Sequence, residues 1–205
     1  MTLPPLTVPA NVPKEIKTIC FFCGASTGND PIFIKHAQEV AAALSGRYDA
    51  VYGGGSVGMM GSIAKTFLDH NRDVRAVVPK PLFLHGSQQI ANVINVVPDM
   101  HSRKKTMYKH SDAFIVFPGG YGTLEEMMEM ITWNQLNVHS KPIVLVNTKG
   151  YFNPFLKWVD VMIEESFLRA GNKDIFVVCN TPEDVLKALD TYVAPTTRIG
   201  LDWDA

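Results

Sequence analysis

The stretch Ala113-Phe-Ile-Val-Phe-Pro-Gly-Gly-Tyr-Gly-Thr-Leu-Glu-Glu126 decides how this chain is read. Its five opening apolar residues have the length and composition of a strand buried on both faces. A proline and three glycines then punctuate the chain, and helical periodicity begins near Thr123. Gly119, Gly120 and Gly122 carry no Cβ, so the backbone can turn sharply and bring N–H groups against a phosphate. The helix start adds free amides and the positive end of its dipole. Glu125 and Glu126 follow within the first turns, close enough to offer a carboxylate to chemistry on the sugar side of such a ligand. The same residues also spell a capping box, with Thr123 at the N-cap and Glu126 at N3, in which the acid serves the helix alone.

Outward from this unit, short apolar runs alternate with longer segments of helical period. Strands are predicted at 17–23, 49–52, 74–78, 93–97, 113–117, 142–146 and 175–178. Helices are predicted near 31–45, 58–71, 100–110, 123–137, 152–165 and 182–192. This alternation predicts an α/β chain, a Rossmann-like doubly wound parallel sheet in a single domain. The longest irregular stretch is 79–92. In such sheets ligands bind beyond the carboxyl ends of the strands, at the switch in strand order. Three loops are placed there: 23–26 with Ser26, the glycine-rich 52–61 with Gly54 and Gly55, and the turn at 118–120.

Length and composition bound the function. At 205 residues, 46% hydrophobic and 19% charged, the chain suits one domain of residues 15–193 with a sizeable core. Residues 1–14 form a proline-rich arm expected to be disordered, and 194–205 a loose tail. Nineteen basic and twenty acidic residues give a net charge of −1 without a basic stripe, so a small nucleotide is a better ligand than a nucleic acid. No apolar run approaches the ~20 residues that span a bilayer. The three cysteines make no disulfide framework, so a soluble protein of the cytoplasm is expected. Cys20 and Cys23 form a C-x-x-C, but inside a strand, where they leave opposite faces as core thiols.

Other candidates carry less. Gly53, Gly55 and Gly58 match G-x-G-x-x-G with Asp73 beyond, yet Asp73 precedes the next strand instead of ending it, against a dinucleotide fingerprint. The six histidines show no paired-ligand spacing, so neither a metal nor another cofactor is expected. Asp99 is a helix N-cap that places Arg103 and Lys104 on the first turns. Arg103 is then either a solvated surface residue or a guanidinium at the crevice edge, where it would hold phosphate or balance charge. On the helix predicted from Thr123, the residues Met127, Met128, Met130, Ile131, Trp133 and Leu136 wrap more than one face, which predicts a homodimer contact. Thr132 either lines the pocket floor or bonds its own backbone.

With 118–126, Met100-His-Ser-Arg-Lys104 and the glycine-rich 52–61 in one chain, the sequence resembles the Lonely Guy family, the cytokinin riboside 5'-monophosphate phosphoribohydrolases. Similar sequences are described elsewhere as lysine decarboxylases, but no pyridoxal-anchoring lysine motif is present. The resemblance runs from about Ile19 to Leu189. It implies hydrolysis of the N-glycosidic bond of an N6-modified AMP to free base and ribose 5-phosphate. It places the essential pair on Arg103 and Glu126, and the substrate loop on Gly120, Tyr121, Gly122, Thr123, Leu124, Glu125 and Glu126. Met100, Lys104, Gly119 and Thr132 lie beside that loop. The family's binding glutamate before M-x-x-R-K falls, by a gap-free count from Arg103, on His85. A general AMP or GMP nucleosidase and a noncatalytic nucleotide or cofactor carrier are the alternatives on the same fold.

Overall fold

The computed structural model describes residues 15–85 and 88–203; the arm expected over 1–14 lies outside them. Seven strands form one sheet: β1 (Thr18–Phe22), β2 (Asp49–Tyr52), β3 (Val74–Pro79), β4 (Val93–Val97), β5 (Ala113–Val116), β6 (Ile143–Val146) and β7 (Val177–Cys179). Their spatial order is β4-β3-β2-β1-β5-β6-β7, and every pair is parallel. The chain builds outward from β1 to one edge, then returns to the other side of β1 to lay down β5. The switch point therefore lies between β1 and β5.

Alternation along each strand divides two cores. Ile19, Phe21 and Cys23 of β1, with Ile115 and Phe117 after it, face one layer. That layer is covered by α1 (Ile32–Ser45), α2 (Gly58–Asp69) and α7 (Pro182–Thr191). Cys20, Phe22, Phe114 and Val116 face the other, with Met107, Met127, Met130 and Val159. Those residues come from α4 (Met100–Lys109), α5 (Tyr121–Gln135) and α6 (Asn153–Glu164). β5 and β6 are apolar throughout because both their faces are buried, whereas edge strand β4 leaves Ile94 and Val96 exposed. All three cysteines are free and buried. Among the described residues, no helix is long and apolar enough to cross a membrane.

Three local expectations are corrected. The irregular stretch 79–92 contains a five-residue helix, α3 (Lys80–Leu84), too short for periodicity to reveal. The helix after the glycine turn begins at Tyr121 with Gly120 as N-cap, and no side chain caps it, so the capping box on Thr123 and Glu126 is not formed. Residues 195–203, expected as a loose tail, are docked instead. A helix leaves its last carbonyls without partners, and here the tail supplies them. Arg198 Nη1 reaches Asn134 O at 3.4 Å, Ile199 N donates to Gln135 O at 2.9 Å, and Trp203 Nε1 donates to Leu136 O at 2.8 Å. Arg198 is 1% exposed and also donates to His139 O at 2.9 Å and Pro195 O at 2.8 Å. Its charge thus sits by the negative end of α5, shared between one carbonyl of that helix and two beyond it.

Arg198→Ala takes the side-chain donor from His139 O and Pro195 O, while Asn134 O keeps its bond from Asn137 N at 3.0 Å; the cost is roughly 1–3 kcal/mol for each carbonyl left buried where no water replaces the donor. The expected loss is about 3 kcal/mol, a drop of roughly 10 °C in Tm by thermal unfolding. A change under ~2 °C would show that the tail adds nothing to α5.

Candidate active site

The carboxyl ends of β1, β2, β3 and β5 converge on one crevice, and α4 and α5 enter it side by side. Asp99 caps α4 as expected, its side chain accepting from Ser102 N at 2.7 Å. The first turns of α4 then aim Arg103 and Lys104 inward. Arg103 is 6% exposed and Glu126 on α5 is 4% exposed, so neither is a solvated surface group. Arg103 Nη1 donates to Glu126 Oε1, and Arg103 Nε donates to Val77 O at 3.2 Å. The third side of the guanidinium lies against Gly53, where a Cβ would collide with Nη2. The glycine loop after β2 is therefore bare because an arginine packs on it.

Burial pushes the Glu126 carboxyl above its ordinary range, and the Arg103 charge opposes that shift. A carboxylate held in this way is a stronger base than an exposed one and keeps its charge through its partner. Beside it, Lys104 pairs with Glu125 and, at 3.1 Å, with Glu129. Burial alone would lower the lysine's pKa, but the two carboxylates outweigh it and raise the value. A lysine that anchors pyridoxal has to give up its proton. Lys104 is held in the opposite state, so it is not suited to that role.

The glycine turn presents donors and hides acceptors. Pro118 O accepts from Gly24 N at 3.0 Å, Gly120 O from Leu124 N at 3.1 Å, and Gly119 O from the Tyr151 hydroxyl at 2.5 Å. Among the described residues, the amides from Gly119 through Thr123 have no protein acceptor. A Cβ on Gly119 would strike Thr123 Oγ1, so glycine is required there for the turn to close on its own helix. Around Gly120 and Gly122 a Cβ would meet nothing within 4 Å. The arrangement can bind an anion through backbone amides next to a buried carboxylate–guanidinium pair.

Of the other candidates, Gly54 and Gly55 lie on the Gly53 loop, and Ser26 O accepts from Met59 N at 3.3 Å, joining the loop after β1 to α2. Tyr121 is 93% exposed at the start of α5, Met100 is 44% exposed at the start of α4, and Leu124 packs on the core. Two residues do not sit where expected. Thr132 is exposed and lines an apolar cavity of about 200 Å³ between α5 and α6, with Met128, Ile131 and Phe155. His85 is the exposed C-cap of α3, and no recorded contact joins it to the pair. Further along that loop, Gln89 lies against Gly54. Gln89 and Tyr151 were both missed, since neither stands in a motif. On the apolar face, Met127 is fully buried and Trp133 packs edge-on against Tyr108 at 5.3 Å, so these two serve the core.

Gly53→Ala should displace the guanidinium from its pair without unfolding the protein. An activity loss of about 100-fold with unchanged circular dichroism is expected, the scale of a misplacement near 1 Å. Unchanged activity would show that Arg103 need not rest on this loop.

The chain is similar to known proteins in sequence and in fold. A family model described as possible lysine decarboxylase matches residues 60–189. A cytokinin riboside 5'-monophosphate phosphoribohydrolase of Arabidopsis thaliana is 42% identical over 184 residues, covering 89% of this chain and 86% of that protein. A probable enzyme of the same name from Oryza sativa subsp. japonica is 42% identical over 183 residues, covering 88% and 75%. Among solved structures, the Moco carrier protein of Chlamydomonas reinhardtii superposes with a TM-score of 0.65 at 16% identity, over 86% of this chain and 96% of that one. At that identity the likeness is one of fold.

Proposed function

The chain belongs to the family of the cytokinin riboside 5'-monophosphate phosphoribohydrolases, and on that premise we infer that it hydrolyses the N-glycosidic bond of N6-modified AMP. The products are the free base and ribose 5-phosphate. The observation that carries this reading is the buried Arg103–Glu126 pair beside a turn of unpaired amides at the sheet's switch point. The amides of residues 119–123 hold the 5'-phosphate and so place C1' over the carboxylate. As the C–N bond lengthens, positive charge grows on the ribosyl ring, and the negative Glu126 stabilises it. The same carboxylate orients the attacking water and takes its proton, while the base departs with the bonding electrons and is protonated. Arg103 holds Glu126 in position and ionised. Lys104 holds Glu125 and Glu129 aside, so that these acids do not face the phosphate. The thiols of Cys20, Cys23 and Cys179, all free and buried, suit a reducing compartment such as the cytosol.

Glu126→Gln preserves size and hydrogen bonding but removes the charge, so release of ribose 5-phosphate should fall at least about 1,000-fold. Substrate binding should persist. In the wild type, kcat should fall as pH is lowered through an apparent pKa above the ordinary glutamate range, because the working form is ionised and burial raises its pKa. Near wild-type turnover in Glu126→Gln would overturn the assignment.

We also propose that two copies pair through the groove between α5 and α6. Met128 and Ile131 line it, and Phe167 beside it is 88% exposed. A single-chain mass by light scattering at micromolar concentration would contradict the pairing; a mass of two chains is expected.

A further inference from the structure

Two of the three carbonyls in the glycine turn are engaged by backbone, Pro118 O by Gly24 N and Gly120 O by Leu124 N. Any sequence that folds this way provides those bonds. The third differs, because Gly119 O is held by a single side-chain atom, the hydroxyl of Tyr151 at 2.5 Å. Tyr151 comes from a distant part of the chain, in the turn after β6, and nothing in the family resemblance or the catalytic pair draws attention to it.

The direction of one carbonyl matters because peptides are planar and the described chain contains no cis bond. In a trans peptide the C=O and the following N–H point to opposite sides. Holding Gly119 O toward Tyr151 therefore fixes the Gly120 N–H pointing away from it, on the side where the unpaired amides of the helix start begin. Little else resists rotation of this peptide. Both flanking residues are glycine, with a wide choice of φ and ψ, and nothing stands within 4 Å of a Cβ placed on Gly120. Rotated, the peptide would offer a carbonyl oxygen where the phosphate needs a donor.

The phenol itself sits on a stiff mount. The ring is 43% exposed but lies edge-on to Phe152 at 5.3 Å and to Phe33 at 6.1 Å. Its short turn, Thr148–Gly150, places Lys149 at φ 57° and Gly150 at φ 72°. Lys149 Nζ pairs with Asp30 at 2.5 Å, tying the turn to the loop before α1. Asn147 Oδ1 accepts from Phe152 N at 2.8 Å, closing the turn from below.

We propose that Tyr151 is a positioning residue for phosphate recognition: its hydroxyl holds the Gly119–Gly120 peptide in the orientation that presents the Gly120 amide to the substrate's 5'-phosphate. The proposal rests on the phosphate placement given under Proposed function. It assigns Tyr151 no contact with substrate and no role in bond cleavage.

Tyr151→Phe removes one oxygen and keeps both ring contacts. The experiment measures kcat/KM for an N6-modified AMP and for the matching riboside, in wild type and Tyr151→Phe, with thermal melts of both proteins. The expected result is a ratio of monophosphate to riboside about tenfold smaller in the variant. The fall should lie in the monophosphate value, with Tm unchanged within a few degrees. A general structural role would lower both substrates by one factor and leave the ratio intact, and that outcome overturns the proposal, as does a variant equal to wild type on both. A wild type that cleaves riboside and monophosphate equally would overturn the phosphate placement itself, and Tyr151's role with it. A wild type with strong phosphate preference that Tyr151→Phe retains in full overturns the Tyr151 assignment alone.

Discussion

The buried pairing of Arg103 with Glu126 is the constraint around which the rest of this structure is arranged. Moving two charges out of water costs several kcal/mol for each ion, and apolar residues in the same space are often as stable or more so. A fold selected for stability alone has little reason to place the pair where α4 meets α5. Keeping it requires partners for the guanidinium: Nη1 donates to Glu126, Nε donates to Val77 O, and Nη2 packs on the bare backbone of Gly53. The desolvation that makes the pair expensive is also what raises the Glu126 pKa, the property that the proposed proton transfer uses. Cost and function have one origin.

Helix α5 carries this constraint along its length. Its first two turns hold the unpaired amides and Glu126, its middle buries Met127 and Met130 in the core beneath the sheet, and its end is closed by the tail through Arg198, Ile199 and Trp203. A rigid helix whose two ends are both tied transmits little slack to its first turn. Lys104, clasped by Glu125 and Glu129, adds a second bridge between α4 and α5 one step from the Arg103–Glu126 pair. The tail therefore shares a mechanical element with the site although it touches none of the substrate loop.

The fold was legible because its strands are buried on both faces and read as unbroken apolar runs, and because a parallel sheet demands helices between them. Gly119 and Gly53 were legible as punctuation, though not as the surfaces against which Thr123 and Arg103 pack. What escaped the sequence were features decided by distance in space. Arg198 reads as a solvated cation in a polar tail until three carbonyls stand around it, Asn134 O of α5, His139 O just beyond that helix and Pro195 O of the tail. Thr123 and Glu126 satisfy a capping pattern, yet Gly120 starts the helix a turn earlier, because the arginine on α4 is a stronger partner for the carboxylate than an N-cap amide. Counting back without gaps put weight on His85, whereas the loop folds so that Gln89 meets Gly54. Thr132 lies six positions beyond Glu126, about 120° away around the helix, and so faces the α5–α6 groove and not the crevice.

The charges around the crevice explain why orientation matters more here than net attraction. Both cations that α4 sends inward are already committed, Arg103 to Glu126 and Lys104 to Glu125 and Glu129. Three carboxylates against two cations leave no spare positive charge in this group to draw an anion. The phosphate site we propose therefore rests on the amides of the glycine turn, whose partial charges act over a short range and only along the N–H direction. A lysine-based site tolerates a shifted ligand, because a point charge attracts from any side. An amide-based site does not, so the peptides that form it have to be held in place. That requirement accounts for the three engaged carbonyls of the turn, and it fixes the distance from phosphate to sugar by backbone geometry. In the proposed placement, the reacting carbon then meets Glu126 without a flexible side chain lying between recognition and chemistry.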